Sequence, residues 1–206
     1  NTITIHTDDK KLVKNLFEKI SSSSSEVSGA IYMPEEPKDE SYDQNKEMVF
    51  KFNDLKYKGS FLALRIEGDK ISIDEKLKAL TIELELSKLN TTVLDVHQST
   101  PFWKKINNLE IFKLTKNNLL RVVVPPSKGP KLMQFLGNKY KYYIDWCGSL
   151  YWIEVQSKKS SKVSDIKKLT KELGGYLTII KTSDEYDYEE TIFTVDDTRL
   201  LISEKI

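Results

Sequence analysis

Arginine is rare in this chain. Of 32 basic residues only Arg65, Arg121 and Arg199 are arginine. A guanidinium is a planar fork that grips a carboxylate through two parallel hydrogen bonds, whereas a lysine ammonium is a mobile point charge. Arg65 lies in Phe61-Leu-Ala-Leu-Arg-Ile-Glu-Gly68 and Arg121 in Leu119-Leu-Arg-Val-Val-Val124, both apolar and strand-like. In such a setting each can anchor a carboxylate ligand or a partner domain, or else pair with a local acid, Glu67 in the case of Arg65. Aromatic residues offer a second chemistry. Phe102-Trp103, Trp146 and Trp152 can form flat contact surfaces, with ordinary core packing as the competing reading. Trp146 and Trp152 stand six apart across Gly148-Ser149, so strand alternation can turn both toward one sheet face.

Other reactive types are sparse. His6 and His97 belong to no H-x-x-H or H-x-x-x-H pattern, so the sequence holds no metal-ligand set. It holds no nucleophile triad and no phosphate loop either, and it names no catalytic residue. Asp145 can act as a base beside Trp146 or cap the turn near Gly148. Cys147 has no nearby cation or helix N-terminus to make a reactive thiolate. Standing alone, it excludes an internal disulfide and favours a cytosolic compartment. Lys158, Lys159, Lys162, Lys167, Lys168 and Lys171 form a basic cluster around Asp165, suited to an anionic membrane, an acidic partner or simple solvation. A net charge of +1 over 206 residues gives no global field for nucleic acid. No apolar run approaches the ~20 residues of a membrane span, and no signal peptide is expected. The opening Asn1 and a helix-like close at Thr198–Ile206 without a stop signal lead to the expectation of a fragment of a longer polypeptide.

The elements that must position these groups are legible from period and punctuation. Thr2 to His6 alternates as a strand. Thr7 or Asp8 can cap a helix whose Leu12, Val13, Leu16, Phe17 and Ile20 share a face, broken by Ser21–Ser25. Val27 to Met33 is a strand ended by Pro34, and residues 34–58 hold an acidic loop insertion. Phe61 to Gly68 is a strand. Ser72 and Glu75 form a capping box for a helix bearing Ile73, Leu77, Leu80 and Leu84. Thr91 to His97 is a strand, and Ser99 to Ile106 a short helix with Pro101 near its first turn. Leu119 to Val124 ends at Pro125-Pro126. Pro130 to Leu136 is a short helix. Tyr142 to Cys147 and Leu150 to Val155 flank a two-residue Gly148-Ser149 hairpin turn. Lys162 to Leu173 is amphipathic and stops at Gly174-Gly175, Tyr176 to Lys181 is the last strand, and Ser183 to Glu190 is a solvated loop.

The succession β-α-β-β-α-β is written twice, once over residues 1–97 and again over 118–206, joined by a connecting helix in 98–117. The expected fold class is α+β: two ferredoxin-like halves forming antiparallel sheet covered by helices on one face. The other face is left to cover something else.

Three stretches, in order, also carry a resemblance: Leu120-Arg-Val-Val-Val-Pro-Pro-Ser127, Tyr143-Ile-Asp-Trp-Cys-Gly-Ser-Leu-Tyr-Trp152 and Leu173-Gly-Gly-Tyr-Leu-Thr-Ile179. With Thr100–Ile106, Glu26–Pro34 and Leu64–Gly68 they resemble the C-terminal half of the FAD-binding subunit of bacterial glycolate oxidase, a member of the FAD-linked oxidases of vanillyl-alcohol-oxidase type. Cys147 stands where that family usually has glycine, and Tyr176 where it often has histidine. The family's closing F-D-P-x-x-x-x-N-P-G would begin just after Ile206, and the N-terminal FAD-binding domain is absent from this chain. The H-G-D-G-N-x-H metal motif of the wider family is missing too, so no metal ligand is carried over.

The resemblance implies a cap or substrate domain that covers a flavin in an oxidase of a small 2-hydroxy acid. Arg65, Arg121, Trp103, Trp146 and Trp152 are then the substrate- or flavin-facing candidates. It implies FAD in the full-length parent and none bound to this fragment, which alone should be inactive. It also implies partners: the chain's own FAD domain, and the second flavin subunit and iron-sulfur subunit of the oxidase. The location would be cytoplasmic, or peripheral at the inner membrane through that complex. The competing expectation is a non-catalytic binding or assembly module of duplicated ferredoxin-like fold.

Overall fold

The computed structural model describes residues 1–35, 37, 50–52, 55–57, 59–113, 115–156 and 160–183. Ten strands and five α-helices follow one another: β1 Thr2–His6, α1 Lys10–Ser22, β2 Gly29–Met33, β3 Phe50–Phe52, β4 Leu55–Tyr57, β5 Phe61–Arg65, α2 Lys70–Glu83, β6 Thr91–Leu94, α3 Val96–Asn107, β7 Asn118–Val123, α4 Gly129–Leu136, β8 Lys141–Asp145, β9 Leu150–Val155, α5 Ser160–Glu172 and β10 Tyr176–Lys181. Most of the expected acidic loop at 34–58 lies outside the described residues. Within it β3 and β4 pair as an antiparallel hairpin that a loop reading does not anticipate. The Thr198–Ile206 helix and the solvated loop beyond Ser183 also lie outside.

Eight strands form one antiparallel sheet in the order β10-β7-β9-β8-β2-β5-β1-β6. The strands of residues 2–94 run β2-β5-β1-β6 and those of 118–181 run β8-β9-β7-β10, the same spatial order of second, third, first, fourth. The two sets meet where Tyr32 pairs with Ile144. One face carries α1, α2, α4 and α5. There Leu16, Leu80, Leu84, Leu132, Val163 and Ile166 are buried against Ile3, Leu64, Val122 and Ile153 of the sheet, with Leu77 and Leu169 packed at the margin.

The starts of the helices differ from the sequence expectation. Asp9, not Thr7 or Asp8, caps α1, accepting the N–H groups of Lys11 and Leu12 at 2.8 and 3.2 Å. Asp69 caps α2 by accepting the Ser72 N–H at 2.9 Å, in place of the Ser72–Glu75 box. Serines 21 and 22 continue α1 instead of breaking it, each hydroxyl bonding a carbonyl one turn back.

The largest correction concerns the second sheet face. The strand expected at Thr91–His97 stops at Leu94, because Asp95 and Gln98 close a capping box: Asp95 accepts the Gln98 N–H and Gln98 Oε1 accepts the Asp95 N–H. The helix therefore starts at Val96, takes in His97, and holds Pro101 in its interior. Its buried Phe102, Trp103 and Ile106 lie against Ile31, Phe61, Ala63 and Tyr143 on the face opposite the four other helices. Three such side chains, at roughly 1.5–3 kcal/mol each, are ample to seat a three-turn helix. Among the described residues, helices thus cover both faces, and only part of the second face stays open.

Candidate functional site

The open part belongs to β10, β7, β9 and β8. In register, Arg121 of β7 stands between Thr178 of β10 and Trp152 of β9, and Tyr143 of β8 follows Trp152. Partners in an antiparallel pair share a face, so these four side chains form one row. Tyr176, Val123, Leu150 and Asp145 form the next. Tyr143 is buried, stacked on Phe112 at 5.9 Å, and its hydroxyl donates to the Ile106 carbonyl at 3.4 Å. Burial, assisted by nearby Asp145, raises its pKa far above the ordinary phenol value. It closes the site on the α3 side.

The connection from β8 to β9 is not the two-residue turn that Gly148-Ser149 signals. Asp145 pairs with Leu150, so four residues intervene, and Trp146–Gly148 form a 3₁₀ turn. Trp146, Cys147 and Gly148 all have positive φ, at 49°, 49° and 95°. For the first two this left-handed backbone costs roughly 1–2 kcal/mol each. Asp145 steadies the turn by accepting the Trp146 N–H at 2.7 Å. Out of the strand, the Trp146 indole is 56% exposed and lies under the Arg121 guanidinium, 5.5 Å from carbon to ring centroid. Trp152 stays in the strand and is half-buried.

Arg121, Trp146 and Trp152 are thus brought together. Arg65 and Trp103 are not part of that cluster. Arg65 is on the same sheet face, but on β5, where its Nη2 pairs with Glu67 Oε1 at 2.8 Å and its guanidinium lies 5.8 Å from the Trp103 ring. Trp103 is interior, 5% exposed, with its Nε1–H donating to Thr2 Oγ1 at 2.8 Å. Thr2 in turn bonds the Ser99 hydroxyl at 2.7 Å. Gly29 makes room for this ring: a β-carbon there would meet Trp103 at 3.1 Å.

The two arginines therefore differ in what their forks do. The Arg65 fork is engaged by a local carboxylate. Among the described residues no carboxylate pairs with Arg121. Arg121 is half-buried, in contact with the exposed Trp146 indole and opposite the half-buried Trp152 in register. In the next row, two strands away, is Asp145, whose carboxyl burial pushes above the usual range, against the pull of the Trp146 N–H. A fork, a flat wall and an acid held toward its neutral form can bind a carboxylate or a planar anion, and can hold or accept a proton. Tyr143, Val123, Thr178 and Tyr176 complete the patch. The first two could have been found from the sequence, since Val123 keeps strand parity with Arg121 and Tyr143 with Asp145. Thr178 and Tyr176 needed the β7–β10 pairing.

On the helical face a pocket of about 250 Å³ opens between α1 and α4, with Phe17, Met133, Ile144 and Cys147 in its wall. Burial pushes the Cys147 thiol up, the Ser21 hydrogen bond only partly opposing it, which agrees with an unreactive cysteine. Among the described residues no group of three His, Cys, Asp or Glu could hold a metal, and no helix is long and apolar enough to cross a membrane. No protein-family model matches the chain, and no curated protein matches it either.

Proposed function

We propose that this chain is the cap, or substrate, portion of an FAD-dependent oxidase subunit acting on a small 2-hydroxy acid such as glycolate, and that each of its halves is a ferredoxin-like unit. The repeated second-third-first-fourth strand order supports the halves. The observation that carries the functional reading is Arg121, with no ion pair to any described carboxylate, over the exposed Trp146 at 5.5 Å, on a stretch of sheet that no described element covers. Motif order adds the flavin to that reading. The face suits such a group, because a planar ring needs a flat wall and a 2-hydroxy acid needs a bidentate cation.

When bound, the flavin supplies the hydride acceptor. The residues of this chain bind, orient and exclude water. Arg121 grips the substrate carboxylate, and Trp146 and Trp152 wall the site on two sides. Tyr143, neutral and anchored to Ile106, keeps its floor rigid. Asp145, its pKa raised, can take a proton from a bound hydroxyl. The partners are an FAD domain of the same polypeptide and the other subunits of the oxidase.

The test is the flanking coding sequence, followed by spectroscopy. A flavin-binding domain in frame with this chain is expected, and in the joined polypeptide a 2-hydroxy acid should bleach the flavin absorbance. This chain purified alone should be colourless. A complete reading frame without a flavin domain, or FAD in one-to-one amount on residues 1–206 alone, overturns the proposal and leaves a binding module.

A further inference from the structure

We propose that the outer surface of α4 and α5 is a contact site for an anionic lipid bilayer. On α4, Lys131 and Phe135 are four residues apart and both exposed, so they share the outward face, and Lys139 follows just beyond the helix. Phe135 is 38% exposed, an apolar ring with no place in the core. It stacks at 6.4 Å on Tyr140, and the Lys162 ammonium of α5 lies 5.4 Å from the same Tyr140 ring. These contacts join the two helices into one surface, on which α5 adds Lys168 and Lys171, both exposed. Among the described residues no carboxylate pairs with Lys131, Lys139, Lys168 or Lys171. Among the described residues of α4 and α5, only Asp165 and Glu172 offset their charge.

The type of charge selects the partner. Protein interfaces favour arginine and are depleted in lysine, and this surface has no arginine. Single-stranded nucleic acid is tracked by a basic groove, whereas this is the outside of two helices. Mobile lysine ammoniums around one exposed aromatic ring match a bilayer: the charges answer anionic headgroups and the ring enters the headgroup boundary. The four sheet-covering helices lie opposite Arg121, so a chain held this way turns the Arg121–Trp146 face away from the lipid. The surface is argued from residues the Arg121 site does not use, so the two readings fail separately.

The experiment is co-sedimentation of the whole chain with vesicles of phosphatidylcholine alone and of phosphatidylcholine mixed with phosphatidylglycerol. Binding is expected only with phosphatidylglycerol and should weaken as salt rises. K168Q/K171Q should lower the partition coefficient by about 25-fold, at about fivefold per lysine, with an unchanged melting temperature. Phe135→Ser should lower it further, including at salt concentrations where the lysines are screened. Lack of phosphatidylglycerol-dependent binding at low salt overturns the proposal, as does binding that K168Q/K171Q leaves intact. Tighter binding to heparin or DNA than to vesicles, with no effect of Phe135→Ser, overturns the lipid assignment in favour of a soluble polyanion.

Discussion

Arg121→Lys separates the functional reading of this surface from a structural one. In the folded chain Arg121 has no ion pair to lose with any described residue, and its contact is with an indole more than half exposed. Such a cation–π contact is worth about 0.5–1 kcal/mol, and a lysine keeps part of it. At about 2–4 °C per kcal/mol for a chain of this size, the melting temperature should fall by no more than a few degrees. Binding is another matter, because lysine retains the charge and loses the fork. In the polypeptide that carries the flavin domain, kcat/KM for a 2-hydroxy acid should drop roughly ten- to a thousandfold, about 1.4–4 kcal/mol of transition-state binding. Arg65→Lys is the control. It disturbs the Glu67 pair and the contact with buried Trp103, so it should lower stability slightly and leave turnover per folded molecule alone. Steady-state kinetics and thermal melts on both variants supply the four numbers. Normal kcat/KM in Arg121→Lys, or an equal loss in Arg65→Lys, refutes the assignment.

Three further outcomes follow from packing and charge. Gly175→Ala should destabilise by about 1–3 kcal/mol in urea unfolding, since its β-carbon would stand 2.2 Å from the Val123 carbonyl oxygen. Gly174→Ala meets nothing within 4 Å and should lose only the roughly 1 kcal/mol of its left-handed φ of 73°. Gly29→Ala should be costly in the native chain and less so in Trp103→Phe, giving a coupling of about 0.5–3 kcal/mol in a double-mutant cycle, because the clash is with the outer indole ring. Asp145 has a folded pKa above its unfolded value, so its favourable contribution is fully present below the unfolded value and is lost as pH rises through the folded one. Asp145→Asn should therefore be more stable than the native chain at neutral pH, with the difference vanishing in acid; the reverse order in pH-dependent melts would show that burial does not govern this carboxyl.

Much of the architecture was written locally. Apolar periodicity in Val13, Leu16, Phe17 and Ile20 placed α1, and apolar runs bounded by Pro125-Pro126 and by Gly148-Ser149 placed β7 and β9, because these signals act on the local backbone. Gly174-Gly175 ended α5 as expected: their N–H groups reach the Lys171 and Thr170 carbonyls, and glycine adopts the left-handed turn at little cost. Choices among equally competent neighbours were not local. Thr7, Asp8 and Asp9 could all cap α1, and Asp9 did so because the chain leaves β1 with the Thr7 N–H bonded to the Ser60 carbonyl. Trp103 is a surface candidate in sequence, yet it became core once β1 and β2 placed Thr2 and Gly29 beneath it, one as hydrogen-bond acceptor and the other as empty space. Arg65 and Arg121 sit in similar apolar strands. Chain geometry let Glu67 reach the first, while register and a strained four-residue turn set the second beside two indoles and no described carboxylate. A side chain's type sets what it can bind, but which partner arrives first depends on segments far away in sequence, and only folding brings those together.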